Sequence, residues 1–369
     1  MKKQKRSVLH NASLTSCLSS LLCVILGLAI GYLVLLLIEP SGAAEAIGKV
    51  LSGFFNWPAK AVMKYMGQTI VRTVPLLMCA LSVLFAYKVG VFNIGVAGQF
   101  SAGACISLYA ALAWSMPWYV CLLLGVIAAA LWGAVSALLK LYCNVNVVIS
   151  GIMLNWIALY STNWILSSVK DPIGPETLSV RGTNPDALLP TLGLEKIFVR
   201  ENTVTLAIPL AILCAVAVWV VLNKTVFGYE LKATGLNALS ARYAGMEEKR
   251  NVIVSMMISG GLAGLGAVML YLCGIERWET TMTSMPAMGI NGIAVAFLGG
   301  LHPLGAILAA FFIEYITIGG ATIDPQLYSP QISDLITSLI IYLCAFSGFM
   351  KASLHKRQMV RKEKGDAEK

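Results

Sequence analysis

The feature that most constrains this sequence is a series of apolar runs, most of them about 20 residues long, the length that crosses a bilayer as a helix. Hydrophobic residues make up 58% of the 369 residues and charged residues 12%, with a mean hydropathy of +0.78. Since a soluble domain is nearer half apolar and a quarter charged, we predict an all-α integral membrane protein. The ten predicted spans lie near residues 14–38, 68–89, 92–113, 117–140, 147–168, 203–223, 251–274, 285–300, 303–320 and 332–350.

The distribution of Lys and Arg predicts the orientation of these spans. Ten spans place both termini on one side, and 18 of the 27 Lys and Arg residues fall in the loops and tails of that side. Because basic residues collect in cytoplasmic loops, we expect both termini to be cytoplasmic, in the plasma membrane of a bacterium. Residues 1–13 are then the cytoplasmic N-terminus, 14–350 a multi-pass transmembrane domain that begins with a retained first helix, and 351–369 a basic cytoplasmic tail that attracts anionic lipid weakly. The polar loop 169–202 lies outside, and the loop 224–250 inside.

Cysteine, histidine and net charge exclude several functions. The nine Cys residues form no C-x-x-C pair and lie mostly in apolar runs, where a free thiol behaves as a small hydrophobe, so we expect no bound metal. His10, His302 and His355 are scattered, and no Ser/His/Asp or H-E-x-x-H pattern accompanies them, which disfavours an intramembrane enzyme. The net charge of +9 sits in loops and tails and indicates membrane topology rather than nucleic-acid binding.

Polar side chains inside the predicted spans are the candidates for a solute path. An amide in a bilayer costs free energy unless it finds a partner, so each one is either a packing contact or a path-lining group, and the sequence leaves both interpretations open. The candidate path residues are Asn93, Gln99, Asn155, Thr162, Asn163, Asn291 and Phe297.

The stretch VFNIGVAGQFSAG, residues 91–103, holds two of these amides among three glycines. On a continuous helix Asn93 and Gln99 would lie about 120° apart, so one polar face cannot hold both. We expect Asn93 to cap the span near its cytoplasmic boundary, and Gln99, which lies deeper, to be the better path candidate. In the fifth span Asn155 and Thr162 would lie within about 20° of each other and could share a polar seam.

Glycine patterns predict how the spans pack. The G-x-x-x-G motifs at 27–31 and 260–264 place small residues on one helix face and predict close helix approach. The segments 93–95 and 291–293 open the third and eighth spans with Asn-Ile-Gly and Asn-Gly-Ile. Spans five apart and oppositely oriented would suit two inverted five-helix halves.

Glu314 is the only acid well inside a predicted span. Proton coupling would need a nearby histidine or second acid, and His302 lies roughly 18 Å away along a helix. A structural hydrogen bond or an interface role is therefore favoured over proton transfer. A secondary, ion-coupled carrier that uses Glu314 is the alternative function from another class.

The inner loop 224–250 carries a pattern for a short helix. Its segment Thr234-Gly235-Leu236-Asn237 is predicted to break the chain, and residues 238–244 to form a helix that Gly245 stops. A short exposed helix with small residues and one Arg suits insertion into a groove on a partner protein. An ordinary amphipathic connector explains the same pattern equally well.

Four stretches together resemble the permeases of ABC importers for ribose, simple sugars and nucleosides, a branch of the branched-chain amino acid permease group, and most of all its nucleoside permeases. They are VFNIGVAGQF, NVVISGIMLNWIA, GYELKATGLNALSARYAGM and GINGIAVAFLGGLHPLGAI. They lie between about residues 65 and 350 in the order found in the family. The chain departs from the family pattern at Ala97 and Asn146, where members commonly carry Glu.

The resemblance implies a type II-like permease domain without an ATPase of its own, and the sequence contains no G-x-x-x-x-G-K-[ST] motif. It implies no cofactor on this chain, with ATP and Mg²⁺ used by a partner ABC ATPase subunit. A second permease chain, as homo- or heterodimer, and an extracellular solute-binding lipoprotein are the other implied partners. The residues that it assigns to ATPase coupling are Glu230, Lys232, Thr234, Gly235, Asn237, Ala241, Arg242, Tyr243 and Gly245.

The implied solute is a nucleoside, with a ribose-like sugar as the alternative. A base would stack on aromatic rings, and Trp156, Trp164 and Phe297 are the candidates for that contact. The same aromatic residues are also ordinary in lipid-facing positions. The extracellular binding protein is expected to set much of the specificity.

Overall fold

A computed structural model describes residues 22–55, 57–198, 202–324, 326–329 and 331–345. Within these ranges the chain is helical and shows two isolated β-bridges but no strand. The start of the first predicted span, the N-terminus 1–13 and the basic tail 351–369 lie outside the described residues. The prediction of an all-α membrane protein is confirmed.

The described helices follow most of the predicted spans. Their bounds are α1 Leu22–Ile38, α2 Ala43–Ser52, α3 Ala59–Lys88, α4 Val96–Leu112, α5 Trp118–Cys143, α6 Val147–Leu166, α7 Val180–Thr183, α8 Ala207–Lys224, α9 Val226–Leu236, α10 Ala238–Tyr243, α11 Glu248–Tyr271, α12 Ala287–Leu298, α13 Pro303–Gly320 and α14 Ile332–Ala345. Short 3₁₀ turns at Ser167–Val169, Pro185–Ala187 and Leu194–Lys196 accompany α7 between α6 and α8.

Five described helices, α3, α5, α8, α11 and α13, are long and apolar enough to cross a membrane. Three shorter apolar helices, α1, α4 and α12, coincide with other predicted spans. The count of ten spans and the inverted five-helix halves stay predictions. Two elements differ from expectation: α2 is additional, and α3 begins at Ala59, nine residues earlier than predicted. Pro58 is the N-cap of α3, and the helix continues through Lys60 and Lys64, two charged residues that an estimate from apolar length leaves out of a span.

The described residues divide into two compact units. One holds the described residues of 57–296 and 302–314, and the other holds 22–55, 297–301 and the described residues of 315–345. In the larger unit α3 and α11 are central, because 89% and 72% of their most apolar windows are buried, against 33% for α5 and 28% for α8.

Small residues let the central helices of the larger unit touch. A Cβ placed on Gly260 would collide with the backbone of Ala129 in α5, and one placed on Gly103 would lie 2.6 Å from the Cα of Gly264. The predicted close approach at 260–264 is therefore confirmed, and it joins α11 to both α5 and α4.

The smaller unit contains α1, α2 and α14. A Cβ on Gly27 would lie 2.8 Å from the Cα of Ile340, so the first G-x-x-x-G motif also marks a close helix contact. The end of α2 is held by Tyr315, whose hydroxyl donates to the carbonyl of Leu51 over 2.8 Å and whose ring lies edge-on to Phe54.

Candidate functional site: the buried amides and the coupling segment

The start of α4 is a break in the helical chain that two amides fill. Residues 91–95 are not helical, and α4 begins at Val96 with Gly95 as its N-cap. The prediction that Asn93 caps this span is therefore wrong. Its Nδ2 donates instead to Oε1 of Gln99 over 2.9 Å, and Nε2 of Gln99 donates back to Oδ1 of Asn93 over 3.3 Å. The separation of about 120° between Asn93 and Gln99, expected on a continuous helix, does not apply, because residues 91–95 are not helical.

A serine pair extends this contact to α3 and α11. Nδ2 of Asn93 also donates to Oγ of Ser259 over 2.8 Å, and Ser259 donates to the carbonyl of Ser82 over 2.8 Å. All four side chains are completely buried. We call Asn93, Gln99, Ser82 and Ser259 the amide–serine network. It satisfies polar groups that would otherwise be costly inside an apolar bundle and joins three helices.

The predicted polar seam on α6 is present and faces α4. Oδ1 of Asn155 accepts from the backbone N–H of Gly98 over 2.7 Å, and its Nδ2 donates to the carbonyl of Ile94 over 3.0 Å. Thr162 donates to the carbonyl of Ser101 over 3.3 Å. Gly98 lies in the first turn of α4, where N–H groups have no partner within the helix. Asn155 therefore caps α4 from a neighbouring helix.

The two positions that depart from the family pattern both have structural contacts. Ala97 is buried, and a Cβ on Gly289 of α12 would lie 2.5 Å from its Cα, so α4 and α12 meet at a point with little room for a larger side chain. Asn146 caps α6, since its Oδ1 accepts from the N–H of Val148 over 2.8 Å. The remaining candidates on α12, Asn291 and Phe297, are half-buried.

Asn163, near the end of α6, holds the loop 275–286 rather than another helix. Its Oδ1 accepts from Nε1 of Trp278 over 2.8 Å, and its Nδ2 donates to the carbonyl of Met282 over 2.8 Å. Trp278 is fully buried, and its carbonyl accepts from the N–H of Thr177 in the loop 169–184. Trp278 is not among the predicted site residues, because nothing in the sequence of a polar loop distinguishes a buried tryptophan from an exposed one.

Glu314 is 5% exposed on α13. An ion pair lies close enough for both charges to act on it: Nη1 of Arg72 in α3 is 3.5 Å from Oε1 of Glu276, just after α11. Glu276 is a second acid that sequence reasoning did not place here, because the two carboxylates are far apart in the chain. At the other end of α13, burial and the neighbouring Lys88 ammonium hold the pKa of His302 below its ordinary value.

The coupling segment, residues 225–246, forms two helices separated by one residue. Thr225 caps α9 by accepting from the N–H of Gly228, and α9 continues to Leu236. The break predicted over Thr234-Gly235-Leu236-Asn237 is therefore right only at Asn237, because the first three of these residues are helical. Oδ1 of Asn237 accepts from the N–H of Ser240 over 3.0 Å and so caps α10.

The predicted stop of α10 at Gly245 is confirmed. Gly245 has a φ of +82°, and its N–H donates to the carbonyl of Arg242 over 3.0 Å. The N–H of Met246 donates to the carbonyl of Ala241 over 3.0 Å, which completes a Schellman cap.

The coupling segment presents apolar side chains to solvent. Tyr243 is 94% exposed, Leu236 89% and Leu239 67%, and Arg242 beside them is exposed as well. We call these four residues the coupling surface. Arg242 also borders an open cleft of about 630 Å³ at the start of α11. Large exposed apolar side chains around an arginine are typical of a protein contact site.

The other residues predicted for coupling lie within the segment. Thr234 and Ala241 are buried, and Oγ1 of Thr234 accepts from Nδ2 of Asn251 in α11 over 3.2 Å. Lys232 donates to Oδ1 of Asn223 over 2.9 Å, and Glu230 is half-buried. Among the residues that the structure describes, no group of three His, Cys, Asp or Glu side chains comes together as a metal site.

A helical membrane domain with buried interhelical amides and an exposed helical segment in one loop fits a membrane transport protein. The chain belongs to the family described as the branched-chain amino acid transport system permease component, whose model matches residues 65–345. The expected family is thereby confirmed, and the chain is a transport subunit.

Several relatives of this chain are permeases of ABC transporters. It is 34% identical to the guanosine ABC transporter permease protein NupP of Bacillus subtilis, over 90% of this chain and 94% of the relative. It is 30% identical to the nucleoside ABC transporter permease protein NupB of Lactococcus lactis, over 81% and 85% of the two chains. The glucose ABC transporter permease protein TsgB13 of Haloferax volcanii is 28% identical over 77% of each chain. No solved structure matches the chain at a significant level.

Proposed function

We propose that this permease is the membrane subunit of an ATP-driven importer that carries a nucleoside, and guanosine is the first solute to test. The observation that carries the proposal is the 34% identity to a guanosine permease over 90% of this chain. A nucleoside permease of a second organism is similar to 81% of the chain, whereas the glucose permease is similar at lower identity. A ribose-like sugar is the alternative solute.

The coupling surface supports an ATPase partner. An exposed Tyr, two exposed Leu and an Arg on one helical segment fit a groove on a second protein, and burial of such anchors provides most of the binding energy in protein contacts. In the proposed orientation the coupling surface and both termini are cytoplasmic, where ATP is available. ATP and Mg²⁺ then belong to the ATPase, and this chain forms the solute path with a second permease chain.

Delivery from outside completes the proposed cycle. An extracellular solute-binding lipoprotein brings the nucleoside to the outer face. ATP-driven closure of the ATPase subunits moves the coupling segments, and the path opens alternately to the two sides. The candidates that meet the solute when the helices move apart are the buried amides Gln99 and Asn155, the half-buried amides Asn163 and Asn291, and the side chains of Thr162 and Phe297.

The test is uptake of labelled guanosine by proteoliposomes that contain the permease with its ATPase and binding protein. We expect uptake that requires ATP and the binding protein, persists with a protonophore, and is reduced by excess unlabelled nucleosides but not by ribose. Competition by ribose alone would move the assignment to a sugar.

The ion-coupled alternative has a distinct outcome in the same vesicles. Uptake that needs no ATPase subunit, collapses with the protonophore and is abolished in Glu314→Gln would replace the ATP-driven mechanism. In the proposed mechanism Glu314→Gln leaves the dependence on ATP intact.

A further inference from the structure

One of the contacts between the coupling segment and the rest of the permease joins two glycines. Gly235, near the end of α9, lies on the turn that ends α3. A Cβ on Gly235 would collide with the carbonyl oxygen of Lys88 and would lie 3.0 Å from the backbone nitrogen of Gly90. A Cβ on Gly90 would lie 3.2 Å from the Cα of Gly235. The two backbones are therefore in direct contact, with no side chain between them.

The turn on the other side of this contact has a fixed shape. Gly90 has a φ of +78°, its N–H donates to the carbonyl of Tyr87 over 3.1 Å, and the N–H of Val91 donates to the carbonyl of Ala86 over 3.2 Å. These bonds form a Schellman cap, which needs a residue in the left-handed region and favours glycine. A displacement of Gly235 would therefore move this cap as a unit.

The cap leads directly into the amide–serine network. We call residues 89–95 the connector, because they join α3 to α4. Asn93 lies three residues after Gly90, and its amide bonds Gln99 in α4 and Ser259 in α11. The connector also borders an open cleft of about 440 Å³, which Gly90, Val91 and Phe92 line together with residues from the ends of α5 and α6. The connector thus contacts α9 on one side and borders open volume on another, into which it can move.

We propose that the Gly235–Gly90 contact transmits movement of the coupling segment to the start of α4, so that Gly235, although exposed on its other side, is a positioning residue for the connector and not an ATPase contact. The proposal rests on the proposed function, since it requires an ATPase that moves the segment. It gives the coupling segment two separate parts. The coupling surface on α10 and the last residue of α9 binds the partner, and the Gly235 backbone transmits its movement to the connector and the amide–serine network.

The decisive variant is Gly235→Ala in the complex of permease, ATPase and binding protein. We measure three quantities: the Kd of the ATPase for the permease, the guanosine taken up per ATP hydrolysed, and the Tm of the permease. We expect the uptake per ATP to fall about tenfold, within the range of typical coupling free energies, while the Kd stays close to wild type. The Tm should fall modestly, because the added Cβ forces the backbone at Lys88 to shift. Gly48→Ala is the matched control, because a Cβ on Gly48 in α2 meets nothing within 4 Å.

Two results of the Gly235→Ala experiment would overturn the proposal. Unchanged uptake per ATP would show that the glycine contact transmits nothing. A Kd weakened in proportion to the loss of uptake would make Gly235 a docking residue instead.

If Gly235→Ala fails to fold, hydrogen exchange of the wild-type complex tests whether the Gly235–Gly90 contact transmits movement. The proposal predicts that trapping the ATPase with ATP and vanadate changes the exchange of residues 88–95, and an unchanged exchange there contradicts it. An ATPase that neither binds the wild-type permease nor drives uptake would refute the proposed function itself. If the ATPase drives uptake but the hydrogen exchange of residues 88–95 does not change, only the proposed role of the Gly235–Gly90 contact is refuted.

Discussion

The start of α4 and the coupling segment are both interruptions of the helical chain, but their side chains have opposite environments. At α4 the amides of Asn93, Gln99 and Asn155 are buried and bonded to side chains or backbone of the same permease. In the coupling segment the backbone is capped just as fully, but Leu239 and Tyr243 project into solvent. The first interruption is complete within one chain, whereas the second presents a surface that a partner would cover.

The largest effect is expected from Asn93→Leu, which removes the centre of the amide–serine network. The Gln99 amide and the Ser259 hydroxyl lose a bonded partner in a dry site, at a cost of roughly 3 kcal/mol in the free energy of unfolding. Denaturation in detergent micelles measures it. In the double variant Asn93→Leu, Gln99→Leu part of that loss should be recovered, because both partners are then apolar. A stability equal to wild type in the single variant would mean that the network contributes little.

Tyr243→Ala tests the opposite property in the coupling segment. With 94% of Tyr243 exposed, the free energy of unfolding should stay unchanged. Loss of a buried aromatic anchor should weaken ATPase binding by about thirtyfold, or about 2 kcal/mol. A binding titration with the purified ATPase measures it, and Tyr119→Ala, an exposed tyrosine at the start of α5, is the matched control. Equal affinities for both variants would remove Tyr243 from the docking surface.

Asn237→Ala tests whether the coupling segment can lose a helix cap without affecting the buried bundle. An N-cap contributes about 1 kcal/mol, but α10 is a six-residue helix on the surface, so the loss should remain local. We expect faster amide exchange within residues 238–245 and an unchanged Tm. A lower Tm would show that α10 unfolds together with the bundle, contrary to the division between the two regions.

Thr162→Val should have the smallest effect. It keeps the shape of the side chain and removes one long interhelical bond, that from Thr162 to the carbonyl of Ser101 at 3.3 Å. Such bonds contribute about 0.6 kcal/mol on average in membrane bundles. Equilibrium unfolding next to Asn155→Leu, which removes two bonds and the cap of α4, should rank the two variants in that order. A larger loss of unfolding free energy in Thr162→Val than in Asn155→Leu would contradict this ranking.

Local patterns in the sequence predicted much of this architecture. Apolar length located most of the described long helices, the pattern of residues 238–245 predicted α10 and its stop at Gly245, and helical periodicity placed Asn155 and Thr162 on one face. Each of these depends on residues that are neighbours in the chain or one helix turn apart. The same local reasoning extended the break of the coupling segment to Thr234, where burial against α11 keeps the helix intact.

Contacts between distant residues could not be predicted in this way. The pairing of Asn93 with Gln99 requires that residues 91–95 leave the helix, and the cap of α4 comes from Asn155, 57 residues after Gly98. The spacing of residues along the sequence likewise does not predict the close approach of Gly289 to Ala97 or of Gly235 to Gly90. Small residues tolerate many environments, and only the packing of two elements shows which glycines are required.

Hydrogen–deuterium exchange with and without the ATPase tests the central comparison most directly. Our account predicts that peptides from residues 226–245 gain protection when the ATPase binds without nucleotide, while peptides from residues 96–105 are protected already and change little in that state. Equal exchange of residues 226–245 in the free permease and in the complex would contradict the account, since the coupling surface would then remain uncovered.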